Sequence, residues 1–192
     1  VCAYKLNLAF YLAHGTVGLY ALEQTIAYIN KVAPDVPVIL DAKLGDIGNT
    51  NEQYAKFAFD AMGADAVTVS PYTGSEAMKP FLDRKDKGII VLCKTSNPRS
   101  DEFQDQQVMV TQTHAKNLYQ IVAEKVRDEW NYNGNCLLVV GSNYPDQLKM
   151  IRDTVGDMGL LNPAVGAQGG SIADVMKNGI NSVRAGVIIN GS

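Results

Sequence analysis

The chain is poor in cysteine and histidine, has no large excess of charge of either sign, and has no apolar run of membrane-spanning length. Its 192 residues include three cysteines, two histidines and one tryptophan, with 17 Lys and Arg against 20 Asp and Glu. Cys2, Cys93 and Cys136 are far apart and show no CxxC spacing, and three thiols cannot all pair with one another. Two of them sit inside apolar runs, VLCK and NCLLVV, which points to buried reduced thiols and a reducing compartment rather than to metal or redox work. The net charge of −3, with no block rich in Lys or Arg, offers no footprint for the phosphates of a nucleic acid. No stretch approaches the roughly 20 apolar residues of a spanning helix. The first residues look like a strand and not like a charged start followed by a leader core. Neither GxGxxG nor GxxxxGK[ST] follows any apolar run, so the nucleotide-binding signatures of the doubly wound folds are missing. The expectation is a cytoplasmic protein with neither a nucleic-acid nor a membrane partner.

What is present is the composition of an ordinary globular protein, 46% hydrophobic and 19% charged, with enough length to bury one core. Candidate strands lie at 1–5, 36–43, 64–71, 88–96, 135–142, 159–166 and 183–191, and helical patterns at about 16–32, 49–62, 75–84, 105–130, 144–154 and 171–178. Strand and helix in alternation argue for α/β architecture with a parallel sheet covered by helices. Polar residues gather at the C-terminal ends of these strands: Lys5 and Asn7, Asp41 and Lys43, Ser70, Thr95 and Ser96, Ser142, and the GAQGG segment. In a TIM (β/α)8 barrel the loops at that end converge over one mouth, so the barrel is favoured over an open sheet. Seven strands are visible, not eight. The expectation is therefore a single barrel domain over 1–192, clipped at both ends.

The stretch ILDAKLGDIGNT, residues 39–50, concentrates the chemistry. Alternation along a strand puts Asp41 and Lys43 on the same face, close enough for a carboxylate–ammonium pair. Asp46 follows on the loop, about one turn before a helix for which Asn49 or Thr50 would be the N-cap and Glu52 or Gln53 the capping-box partner. It can reach back to Lys43 or across to another chain. Burying charge at a strand end costs several kcal/mol per ion when the site is dry, so such a cluster kept only for stability would be a poor solution. An acid–lysine–acid array can hold a charged lysine as proton donor and place a carboxylate against a substrate anion.

DAKLGDIGNT, with its DxKxxDI spacing and a Thr four residues after the second Asp, resembles the signature of the orotidine 5′-phosphate decarboxylase family. Five further segments agree in order: KLNLAFYLAHG (5–15), VSPYTGSEAMKPFL (69–82), LCKTSNPRSDEFQ (92–104), VVGSNYPDQL (139–148) and NPAVGAQGG (162–170). The likeness covers nearly the whole chain and is strongest to the longer bacterial and protozoal branch, where a KTSNP or KTTNP loop occurs.

The resemblance implies loss of CO2 from orotidine 5′-monophosphate to give UMP, the last step of pyrimidine synthesis, without metal or organic cofactor. It implies Lys43 as proton donor to carbon 6, Asp41 against the substrate carboxylate, and Lys5 paired with Asp41 and touching the ribose. Asp46 and Thr50 would be contributed across a homodimer interface. Thr95 and Ser96 correspond to the loop on the pyrimidine edge, and Asn7 to a contact near the ribose. Gln168 and Gly169 belong to the phosphate turn, with Ile47 and Pro163 as further substrate contacts. A family aspartate on the first strand would lie before Val1, and a phosphate-binding arginine would follow INGS; Arg184, at a strand start, is no substitute. Leu6 and Ala164 stand where Pro and Gly are more usual. Two other readings compete: a magnesium-dependent sugar-phosphate decarboxylase or aldolase on the same barrel, and a non-catalytic phosphate-binding barrel. The DIGNT continuation and the TSNP loop favour the nucleotide enzyme over the first, and the presence of Asp41, Lys43 and Asp46 favours it over the second.

Overall fold

The protein is described by a computed structural model covering residues 1–166 and 169–191. The chain forms two compact units, Val1–Ile90 and Val91–Ser192.

The first unit runs β1 (Tyr4–Asn7), α1 (Leu8–Leu12), α2 (Gly15–Val32), β2 (Val38–Leu44), α3 (Gly48–Ala55), β3 (Ala66–Val69), α4 (Ser75–Leu82) and the start of β4 (Gly88–Lys94). Its strands lie in the order β1-β2-β3-β4. β1 and β2 pair in parallel from Tyr4↔Val38 to Asn7↔Asp41, and β2 pairs in parallel with β3. Val38, Ile39 and Leu40 are buried in succession, as are all four residues of β3, which is why these strands are continuous apolar runs and not alternating ones. On α2, Leu22, Ile26 and Ile29 bury one stripe at helical spacing. Gly18 lets α2 approach α1: a Cβ there would stand 1.8 Å from the carbonyl oxygen of Tyr11. The first strand is displaced from the expected 1–5 to Tyr4–Asn7, because its ladder to β2 ends where Asn7 meets Asp41 and Asn7 turns the chain into α1.

The second unit continues β4 and adds α5 (Asp101–Gln104), β5 (Gln107–Met109), β6 (Ala115–Asn117), α6 (Leu118–Lys125), β7 (Cys136–Val140), α7 (Pro145–Val155), β8 (Gly159–Val165), α8 (Ile172–Asn178) and β9 (Val187–Gly191). The order here is β4-β7-β8-β9, with β7, β8 and β9 paired in parallel. The helix expected over 105–130 is shorter. Residues 107–117 form an antiparallel hairpin, rich in β-branched residues, and α6 starts only after Asn117, where Asn117 and Gln120 make a reciprocal capping box. His114 is thus in the hairpin turn, exposed, with its carbonyl accepting the N–H groups of Val110 and Thr111. The last strand starts at Val187, not at 183. Asn181 closes a turn onto Ala185, Ser182 donates twice to Asp157, and Arg184 lies in this turn with φ +61°.

One buried cation organises this unit. The Arg152 guanidinium, on α7, donates to the carbonyls of Gly156, Met158, Gly179 and Gly186, so a single side chain gathers the loops before β8, after α8 and before β9.

Candidate active site

The charge array sits at the C-terminal ends of β1 and β2. Asp41 is only 8% exposed. Its Oδ2 accepts the Lys5 ammonium at 2.9 Å and its Oδ1 the Lys43 ammonium at 2.6 Å. Burial pushes the Asp41 carboxyl up, but the hydrogen bonds and charges of Lys43 and Lys5 outweigh it and hold the group below the usual carboxylate range. The Lys5 side chain is 17% exposed and that of Lys43 50%, so one ammonium is largely enclosed and the other faces outward.

Asp41 and Lys43 do meet, but not by simple strand alternation. The β2–β3 register passes from Leu40↔Val67 to Leu44↔Val69, so Asp41, Ala42 and Lys43 stand opposite Thr68 alone. This bulge carries Lys43 at φ +49°, in the left-handed region. Buried Thr68 fills it: the N–H groups of Ala42 and Lys43 both donate to Thr68 Oγ1 at 2.9 Å, and the hydroxyl donates to Asp41 Oδ1 at 2.9 Å.

Asp46 makes no ion pair with Lys43 among the described residues; its Oδ1 accepts the Ile47 N–H at 2.6 Å. The loop is fastened by Asn51, fully buried, which accepts the Asp46 N–H and donates to the carbonyls of Asp46 and Ala77. Because Asn51 draws this loop tight, α3 starts at Gly48 with Ile47 as N-cap and no side-chain cap, earlier than the expected Asn49 or Thr50. Ile47 is exposed and Thr50 half-buried on the first turn of α3. Asn7 caps α1, its Oδ1 accepting the Ala9 N–H.

In the second unit, Thr95 is clamped by Gln104, which accepts its N–H at 2.9 Å and donates to its hydroxyl at 2.7 Å, while that hydroxyl donates to Asn97. Ser96, Asn97, Pro98, Asn143 and Tyr144 line a cleft of about 390 Å³. Beneath this loop, Lys94 is fully buried, paired with Asp105 at 2.8 Å and 4.5 Å from the ring centre of Tyr144. The Pro163 carbonyl accepts both the N–H and the hydroxyl of Ser142. In the GAQGG turn, the N–H groups of Gly166, Gly169 and Gly170 donate to Gly170, Gly166 and Ala164, so these three are spent within the turn. A Cβ on Gly170 would stand 1.9 Å from Ser142 Oγ. Gln168 lies outside the described residues. Among the described residues, no three His, Cys, Asp or Glu side chains are gathered so as to hold a metal ion.

The model of the orotidine 5′-phosphate decarboxylase / HUMPS family matches residues 1–191. The chain belongs to this family. It is 47% identical over 192 residues to an orotidine 5′-phosphate decarboxylase of Ralstonia pickettii, covering all of this chain and 68% of that protein. The solved Leishmania donovani UMP synthase matches with TM-score 0.91 and 41% identity over 99% of this chain and 41% of its own. The L. donovani OMP decarboxylase matches with TM-score 0.89 and 38% identity over 99% and 71%. The fold is accordingly the TIM barrel of the decarboxylases, seven of whose strands lie among the described residues.

Within that family frame, the array of Lys5, Asp41 and Lys43 was visible in the sequence, whereas Thr68, Asn51 and Gln104 were not. Each acts through hydrogen bonds to backbone groups, and each looks locally like an unremarked strand or helix residue. For Thr68 a weak signal existed: a lone hydroxyl in the buried run AVTV calls for partners.

Proposed function

We propose that this site decarboxylates orotidine 5′-monophosphate to UMP. The observation that carries the reading is the buried Asp41 carboxylate held between two ammoniums, one of them open to the outside. In this reaction the bond from C6 to the carboxylate breaks, CO2 leaves, and the electron pair stays on C6. Lys43 stabilises that developing charge with a fixed cation, then gives C6 a proton, and is reprotonated from solvent. Asp41 faces the substrate carboxylate, favouring the state in which that charge departs, and Lys5 keeps Asp41 ionised while touching the ribose. Binding energy from the distant phosphate holds the reacting end in place, with Gln168 as the grip and Gly169, whose N–H is engaged within the turn, as the residue without a side chain that lets the anion approach. Ser96 and Thr95 serve the pyrimidine edge; since the Thr95 side chain is already engaged by Gln104, Ser96 is the better direct contact. Asn7, Ile47 and Pro163 complete the substrate shell.

The working unit is a homodimer, with Asp46 and Thr50 reaching the partner's site. That Asp46 lacks an ion pair to its own Lys43 supports this arrangement. The chain acts as one decarboxylase domain in the cytoplasm, without a cofactor. The buried thiols of Cys93 and Cys136 fit a reducing compartment, and no helix among the described residues is long and apolar enough to cross a membrane.

The test is UMP formation, followed by ultraviolet absorbance with EDTA present, for the full-length protein and its Lys43→Ala variant. Turnover by the parent and near-total loss in the variant is expected. A folded, dimeric parent that leaves orotidine monophosphate untouched, yet shows chelator-sensitive activity on a sugar phosphate, would overturn the reading. Mixing Lys43→Ala with Asp46→Ala subunits, each inactive alone, should restore activity if Asp46 crosses the interface.

A further inference from the structure

We propose that Thr68 is a positioning residue for the decarboxylation: its hydroxyl holds the bulge of β2 and so aims the Lys43 ammonium. The inference rests on the decarboxylase reading for its kinetic consequence, but its geometric content stands on the first unit alone.

A threonine hydroxyl has one proton and two lone pairs. Thr68 uses all three, giving its proton to Asp41 Oδ1 and accepting the N–H groups of Ala42 and Lys43. At 1% exposure no water can take over these bonds without repacking. In an unbulged parallel pair the N–H groups of Ala42 and Lys43 would alternate in direction, and a carbonyl of β3 would serve the inward one. Here three residues of β2 face one of β3, and a side chain takes the place of that carbonyl. The bulge also puts a residue with a Cβ into the left-handed region, at a cost of about 1–2 kcal/mol, which survives only where its surroundings determine it. The oxygen that holds the Lys43 backbone also binds the same carboxylate oxygen that receives the Lys43 ammonium. Backbone and side chain of the proton donor are therefore referred to one hydroxyl. Valine has nearly the shape of threonine and can fill the same buried space; only the hydroxyl supplies the three bonds.

The experiment compares the full-length parent with Thr68→Val, which keeps shape and removes the hydroxyl, and Thr68→Ser, which keeps the hydroxyl. Misaiming a catalytic group by about 1 Å costs on the order of 10²-fold in rate. We expect Thr68→Val to lose about that factor in kcat while its Kd for UMP, which lacks the departing carboxylate, stays within about threefold, and Thr68→Ser to recover most of the rate. A second readout does not need turnover: in a carboxyl-labelled NMR titration, Asp41 should titrate at higher pH in Thr68→Val than in the parent or Thr68→Ser, because a donor to its ionised form is gone. Parental kcat in Thr68→Val overturns the proposal. So does loss of UMP affinity in step with kcat that serine fails to rescue, which marks packing alone. If the parent itself does not decarboxylate, the functional reading falls, and an Asp41 titration unmoved by Thr68→Val then overturns the positioning role as well.

Discussion

Lys43 places its ammonium 2.6 Å from Oδ1 of Asp41 while its own backbone sits at φ +49°, so the shortest ion pair of the array is reached from a strained conformation. Strain at a site of this kind is retained when the side chain it directs is needed, and it has consequences that can be measured.

Stability of the first unit should depend on pH through Asp41. Its carboxyl is held below the ordinary range in the folded state, so the stabilisation is fully present above the unfolded pKa, about 3.9, and is lost as pH falls through the lower folded value. Urea midpoints should therefore be insensitive to this group between pH 5 and pH 7, to the extent of about 0.2 M, and drop below about pH 4. Asp41→Asn should flatten that acid limb.

Ala164, next to last in strand β8, sits at φ +77°, where a Cβ is disfavoured. Ala164→Gly should raise stability by about 0.5–1 kcal/mol, measured by urea denaturation. A lower midpoint for the glycine variant would mean that flexibility gained in the unfolded chain outweighs the strain relieved.

Arg152 is the cation on which the loops of the second unit converge, and burial lowers its pKa without making a neutral guanidinium accessible at ordinary pH. Arg152→Ala removes a donor from four carbonyls, of which only that of Gly186 is seen to keep another, the Leu160 N–H, and should cost about 3 kcal/mol or more. Arg152→Lys, a point charge without the planar fork, should fall between parent and alanine in the same denaturation series.

Thiol chemistry should separate the three cysteines. Burial pushes Cys93 and Cys136 up to about 12, so both remain protonated and enclosed at pH 8, whereas Cys2 is exposed. Brief treatment with an aromatic disulfide reagent followed by peptide mass spectrometry should label Cys2 alone, and all three once the chain is denatured.

The parallel strands could be found in the sequence because burial on both faces leaves uninterrupted apolar runs such as VPVIL and AVTV. The 107–117 hairpin could not, since its exposed valines and threonines sit in a polar stretch that continues directly into α6 and carries the same composition. The early start of α3 was hidden for a related reason. Asn51 is a mid-helix residue by position, and only its bonds to Asp46 and to Ala77, 26 residues away, show that it sets the loop.

The sequence by itself determined which groups could do chemistry: a carboxylate and an ammonium two residues apart at a strand end, a second lysine on the strand before, and a family signature around them. Tertiary structure alone decided how they are held. Thr68 reaches Asp41, Ala42 and Lys43 from 25 to 27 residues along the chain, and Arg152 reaches the carbonyl of Gly186 across 34. Such bonds depend on the register between strands and on where a bulge falls in it. Register is fixed by the packing of whole elements and leaves no periodic mark on the residues that complete it.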